Sequence, residues 1–142
     1  MSDYVHHEMF PIGEGDTPFR KLTENYVETA EFEGQAVLKV NTEALTVLTT
    51  EAFRDISHLL RPQHLQQLAN ILDDPEASDN DRFVALDFLK NANIAAGGVL
   101  PMCQDTGTAI VMGKKGEAVW VDGDEEAAIG AGIRRTSATD NL

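Results

Sequence analysis

Residues 100–109, LPMCQDTGTA, bring together a thiol, an amide, a carboxylate and two hydroxyls in Cys103, Gln104, Asp105, Thr106 and Thr108. Cys103 is the single cysteine in 142 residues. As a nucleophile it needs a base, and His6, His7, His58 and His64 all lie far away in sequence, so no dyad is defined. As a metal ligand it is one thiolate of several, with the others outside this segment. The plainer reading is a small buried hydrophobe, the usual fate of a lone intracellular cysteine. Asp105 also has two readings. It can close a turn by accepting backbone hydrogen bonds ahead of Gly107, or it can move a proton if its surroundings raise its pKa toward neutrality. Four polar side chains following the thiol, at the start of an apolar run, favour a loop that does chemistry.

Other candidates are weaker. The string GTAIVMGKKG lacks the spacing of a phosphate-binding loop, because Lys115 stands where a hydroxyl is required. His58 and His64 flank LLRPQ, on either side of a proline that breaks a helix, and do not have zinc-site spacing. His6 and His7 sit in a leader segment expected to be solvent-exposed. The acidic run DGDEEAA lacks the pattern of a calcium loop and reads as a helix start favoured by the dipole.

The elements that must hold Cys103 follow from periodicity. Residues 1–25 carry Pro11, Gly13, Gly15 and Pro18 and read as an irregular leader. A hairpin across Gly34 is expected in YVETAEFEGQAVLKV, with weak alternation over Ala36, Leu38 and Val40. From Thr42 the period changes to that of a helix: Leu45, Leu48, Ala52, Ile56 and Leu59 predict one apolar face. Asn41 or Thr42 caps that helix, and Pro62 stops it or opens the next. Leu65, Leu68, Ala69 and Leu72 form a second stripe.

Ser78 and Asp81 approximate a capping box for a third helix over Ala85, Phe88, Leu89, Ala92, Ala95 and Ala96, which ends at Gly97-Gly98. Beyond Pro101, TAIVMG and AVWV predict two strands joined by a tight turn at KKGE. Asp122 or Asp124 then caps a last helix containing Ala127, Ala128, Ile129 and Ile133. The expected fold class is α+β, with helices packed against a small, mostly antiparallel sheet. That sheet is too small to cover all the apolar surface, so more chain or a partner is expected over it.

Bulk composition narrows the function. Hydrophobic content of 42% with 25% charged residues describes a soluble globular chain of one modest domain. One cysteine excludes an internal disulfide. No apolar run approaches the roughly 18 residues of a membrane span, and MSDYVHHEMF lacks the features of a signal peptide. A net charge of −13 repels nucleic acid and anionic lipid, so neither is an expected partner. A small anionic substrate remains compatible with a local basic pocket. The ending GIRRTSATDNL has no closing element and fits a natural terminus or a truncation equally.

The string VLPMCQDTGTAIVMGKKG resembles the corresponding segment of the class I fumarases, the iron–sulfur fumarate hydratases. YVETAEFEGQAVLKV, LRPQHLQQLANILDDPEASDNDRFVALDFLKNANIAAGGVLP and VWVDGDEEAAIGAGI look like the homodimeric, single-chain members, so the resemblance runs from about residue 18 to 142. Members of that family are several hundred residues long, and the resemblance implies that this chain is the beginning of the N-terminal region. Residues 26–142 are then a partial N-terminal α+β domain of a hydro-lyase.

The implied reaction is the reversible hydration of fumarate to malate with a 4Fe-4S cluster held by three cysteines. Cys103 corresponds to the first of those ligands. Gln104 and Asp105 correspond to substrate contacts, and Asp105 to the group that transfers a proton. The implied substrate is a small dicarboxylate, the implied assembly a homodimer, and the implied location the cytoplasm. One thiolate does not hold a cubane, so the segment by itself is expected to be inactive, with no cofactor bound. Two alternatives stay open at this point: the alpha-type segment of a tartrate dehydratase, which shares this kind of cysteine segment, and a stand-alone non-catalytic interaction domain.

Overall fold

The structure, a computed structural model, describes residues 5–6, 18–103 and 108–140. The elements run β1 (Val27–Phe32), β2 (Gln35–Val40), α1 (Thr42–His58), α2 (Pro62–Asp73), α3 (Asp79–Ala95), β3 (Val119–Val121) and α4 (Glu125–Asp140). Helices packed against a small, mostly antiparallel sheet make the fold α+β.

The hairpin forms where expected. Glu33 and Gly34 have φ of 50° and 79°, the left-handed pair that lets a two-residue turn follow the twist of the strands. Val27 pairs with Val40 and Phe32 with Gln35 in an antiparallel ladder. Inward burial falls on Val37 rather than on Leu38, so the buried face of β2 is the opposite one to the Ala36, Leu38 and Val40 series.

The third strand corrects the sequence reading. TAIVMG forms no strand, and Ile110 and Met112 are exposed. AVWV supplies only Val119–Val121, which pairs in parallel with β2, Leu38 opposite Val119 and Val40 opposite Val121. A three-residue edge strand offers too few ladder bonds to offset the cost of ordering a fourth strand beside it.

Asp122, the next residue, ties this strand to the first helix. Its carboxylate accepts from the Thr42 backbone N–H at 2.8 Å and from Asn41 Nδ2 at 2.6 Å. The Asn41 side chain accepts from the Glu43 N–H at 2.9 Å and caps α1. Asp124, not Asp122, caps α4 by accepting from the Ala127 N–H at 3.0 Å. Pro62 opens α2, and Ser78 and Asp81 complete the capping box of α3.

Helix burial departs most from the sequence pattern. The buried residues of α1 are Thr46, Thr49, Thr50 and His58, while the expected apolar face turns outward, with Leu48, Ile56 and Leu59 about half or more exposed. The reason is the partner. α1 packs on α4, whose buried stripe is Ala128, Gly132 and Thr136, and small residues let the two backbones approach closely.

Threonine hydroxyls stitch the approach: Thr46 Oγ1 donates to the Ala128 carbonyl at 3.0 Å, and Thr136 Oγ1 donates to the Thr50 carbonyl at 2.8 Å. Arg54 on α1 grips Asp140 on α4 with Nε and Nη2. Ahead of the sheet, Arg20 bridges Glu51 and Asp55 and holds the preceding segment against α1. α2 and α3 form the second helix pair, in which α3 buries Ala85, Ala92 and Ala95 but leaves Phe83 and Phe88 exposed.

Candidate functional site

Cys103 lies on the return from α3. After Ala95 the chain makes two turns, with Gly97 N–H donating to the Ile94 carbonyl and Gly98 N–H to the Ala95 carbonyl. Gly98 then adopts φ 71°, a left-handed conformation that costs an L side chain roughly 1–2 kcal/mol and a glycine nothing. That reversal sends residues 99–102 back along the helix they have just left.

The peptide groups of Met102 are held from two sides. Its N–H donates to the Ser57 carbonyl in the last turn of α1 at 2.9 Å. Its carbonyl accepts from Asn91 Nδ2, one turn before the end of α3, at 2.8 Å. Cys103 follows directly and is exposed. The thiol therefore stands at the junction of α1 and α3 on backbone fixed one residue upstream. The reading of Cys103 as a buried small hydrophobe is set aside by its exposure.

Neighbouring titratable groups do not complete a site inside the described residues. His58 is buried and its Nδ1 lies 2.9 Å from the Arg54 carbonyl. A carbonyl only accepts, so that nitrogen carries the proton and the ring serves the last turn of α1. His64 lies on exposed α2 surface. Among the described residues no three His, Cys, Asp or Glu side chains converge as a metal site. Gln104 and Asp105 lie outside the described residues. No described helix is long and apolar enough to cross a membrane.

What this arrangement offers is a soft, exposed ligand or nucleophile on a rigid mount. Sequence reasoning found the thiol but missed Ser57 and Asn91. A faint signal existed for the second. Asn is a poor residue for a helix interior because its amide competes for backbone partners, and α3 carries Asn91 in its interior.

Comparison with known proteins now defines the class. Residues 46–142 match the model of the family described as Fumarate hydratase (Fumerase), and the chain belongs to that family. Within it, the chain corresponds to the N-terminal region of class I fumarate hydratases. It is 55% identical over 139 residues to "Fumarate hydratase class I, aerobic" of Salmonella typhimurium, covering 98% of this chain and 24% of that relative. It is 52% identical over 139 residues to "Fumarate hydratase class I, anaerobic" of Escherichia coli, covering 98% and 25%. A further relative, "Fumarate hydratase 2" of Leishmania major, is 52% identical over 128 residues, covering 89% and 22%. The chain thus spans about a quarter of the length of the curated relatives it matches.

Proposed function

We propose that this chain is the N-terminal part of an iron–sulfur fumarate hydratase, a hydro-lyase that reversibly hydrates fumarate to (S)-malate. The observation that supports this most directly is the family match across residues 46–142, which contains the whole Cys103 segment. Residues 1–25 form the leader of the proposed enzyme, and residues 26–142 part of its N-terminal domain. The enzyme works in the cytoplasm as a homodimer, on a small dicarboxylate, without nucleic acid or membrane.

Cys103 supplies one of the three thiolates that hold a 4Fe-4S cluster. The donor chemistry fits, since thiolate is the ligand such clusters take, and Cys103 is exposed. One cysteine gives one corner of the cluster, and the remaining thiolates belong to the rest of the longer protein. When bound, the cluster supplies an iron without a protein ligand, a Lewis acid for the substrate's carboxylate and hydroxyl. Gln104 orients a substrate oxygen without adding charge. Asp105 takes a proton from the carbon adjacent to the one that bears the departing hydroxyl during dehydration, and returns it during hydration. By itself, the segment lacks the other ligands and is inactive.

Anaerobic loading with iron and sulfide, followed by metal and sulfide counting and a hydration assay, tests this reading. The full-length enzyme should hold about four iron and four sulfide per chain, and Cys103→Ser should lose both cluster and turnover. The 142-residue chain should hold almost none. A Cys103→Ser enzyme that keeps its iron and its rate overturns the assignment.

A further inference from the structure

Met102 is clamped between two helices, and only one of its two partners is a side chain. The Ser57 carbonyl belongs to the α1 backbone, so no substitution there removes it. Asn91 contributes its amide from the exposed face of α3 and crosses to the Met102 carbonyl at 2.8 Å, eleven residues along the chain. That carbonyl belongs to the peptide joining Met102 to Cys103. Its orientation fixes the plane from which the Cys103 Cα and thiol project.

We infer that Asn91 is a positioning residue for Cys103: its amide, acting with the Ser57 carbonyl, sets the direction in which the thiolate meets its ligand. The inference rests on the proposed role of Cys103 as a cluster ligand. It explains why an asparagine occupies the interior of α3 next to buried Ala92, where an alanine or leucine gives a more stable helix. It also gives the left-handed Gly98 a purpose, because the returning chain must pass within reach of Asn91. Without the bond the Met102–Cys103 peptide turns about its flanking dihedrals, and the thiolate samples directions that do not suit the cluster.

Asn91→Asp is the informative variant, since it keeps the shape and replaces the donor with a carboxylate that repels the Met102 carbonyl. Asn91→Leu, a better helix former, guards against a result caused by charge alone. In the 142-residue chain, exchange of the Met102 amide should rise roughly two- to tenfold in both variants, the range that a single hydrogen bond commands. The alkylation rate of Cys103 should change with it, while the Ala92 and Ala95 amides stay put. In the full-length enzyme both variants should lose iron to a chelator faster, with an altered EPR line shape of the cluster.

Unchanged Met102 exchange overturns the inference, whatever Cys103→Ser does to the iron. Loosening of the whole of α3 also overturns it, by reducing Asn91 to a structural residue. If Met102 loosens as expected but Cys103→Ser keeps its iron, the clamp stands and the cluster reading fails.

Discussion

Gly132 of α4 presses against Thr46 of α1 so closely that a Cβ on the glycine would lie 2.7 Å from the Thr46 carbonyl oxygen. It would also lie 2.7 Å from the Thr49 Cβ and 3.1 Å from the Thr50 nitrogen. Backbone cannot swing aside as a flexible side chain does, so Gly132→Ala must separate the helices. A loss of about 1–3 kcal/mol is expected. Gly130, one residue pair away on the open side of the same helix, has nothing within 4 Å of the added carbon. Gly130→Ala should instead stabilise by about 0.5–1 kcal/mol. Denaturant melts of the two variants should shift in opposite directions.

Thr136 carries the most deeply buried hydroxyl among the described residues, at 1% exposure. Its Oγ1 donates to Thr50's carbonyl and also lies 3.3 Å from the Gly132 carbonyl. Thr136→Val preserves shape and removes the donor, leaving the Thr50 carbonyl short of a partner across the interface. The expected cost is about 1–3 kcal/mol, read from the same melts. A neutral result would mean that the close packing, rather than the hydroxyls, holds α1 to α4.

Gly98 turns the chain back toward Asn91 at φ 71°, with open space where a Cβ would go. Gly98→Ala should therefore cost about 1–2 kcal/mol from backbone strain alone. The local consequence should exceed the global one, with faster amide exchange at Met102 and a changed alkylation rate at Cys103. Equal loosening everywhere would argue against a local role for this turn.

The start of α3 should respond to acid. The Ser78 hydroxyl donates to Asp81 Oδ2 at 2.7 Å and the Ser78 N–H donates to the same oxygen at 2.9 Å. The hydroxyl first, and the N–H second, hold the Asp81 carboxyl below its ordinary 3.8. Such a depressed group contributes its full stabilisation above the unfolded value and loses it as pH falls through the lower folded one. Carboxyl titration by NMR should place Asp81 below 3.8, and Ser78→Ala should raise it. An unshifted Asp81 would mean that the box does not persist in solution.

Helix boundaries were largely legible because they depend on local chemistry: Asn41, Pro62, Ser78 with Asp81, and the Gly97-Gly98 stop all act within a turn of themselves. Burial was not. The Leu48, Ile56 and Leu59 stripe has helical spacing, yet it faces out, and Thr46, Thr49 and Thr50 face in. Apolar periodicity reports helical spacing, not which neighbour the helix packs against, and here the neighbour is the small-residue stripe of α4. Glycine and threonine carry no such periodic signal, although they permit the closest helix contact.

The strand pattern in TAIVMG likewise describes a propensity for which this segment provides no neighbouring ladder. Cys103 was legible as a lone thiol followed by polar side chains. Asn91 left only its poor helix propensity as a signal, because a side chain that bonds to a backbone carbonyl eleven residues away leaves no spacing rule behind.

The outward stripe on α1 matters before the protein is finished. In a relative four times this length, the N-terminal quarter leaves the ribosome first, and synthesis at about 5–20 residues per second keeps it waiting on the order of tens of seconds. Through that interval the threonine-stitched helix pair can already close, since α1 and α4 both lie in the finished part. Leu48, Ile56 and Leu59 stand about half or more exposed and are open to any other nascent chain. Protein yield in the cell should thus depend on chaperones that hold apolar surface during translation, and polar substitutions on this stripe should relax that dependence.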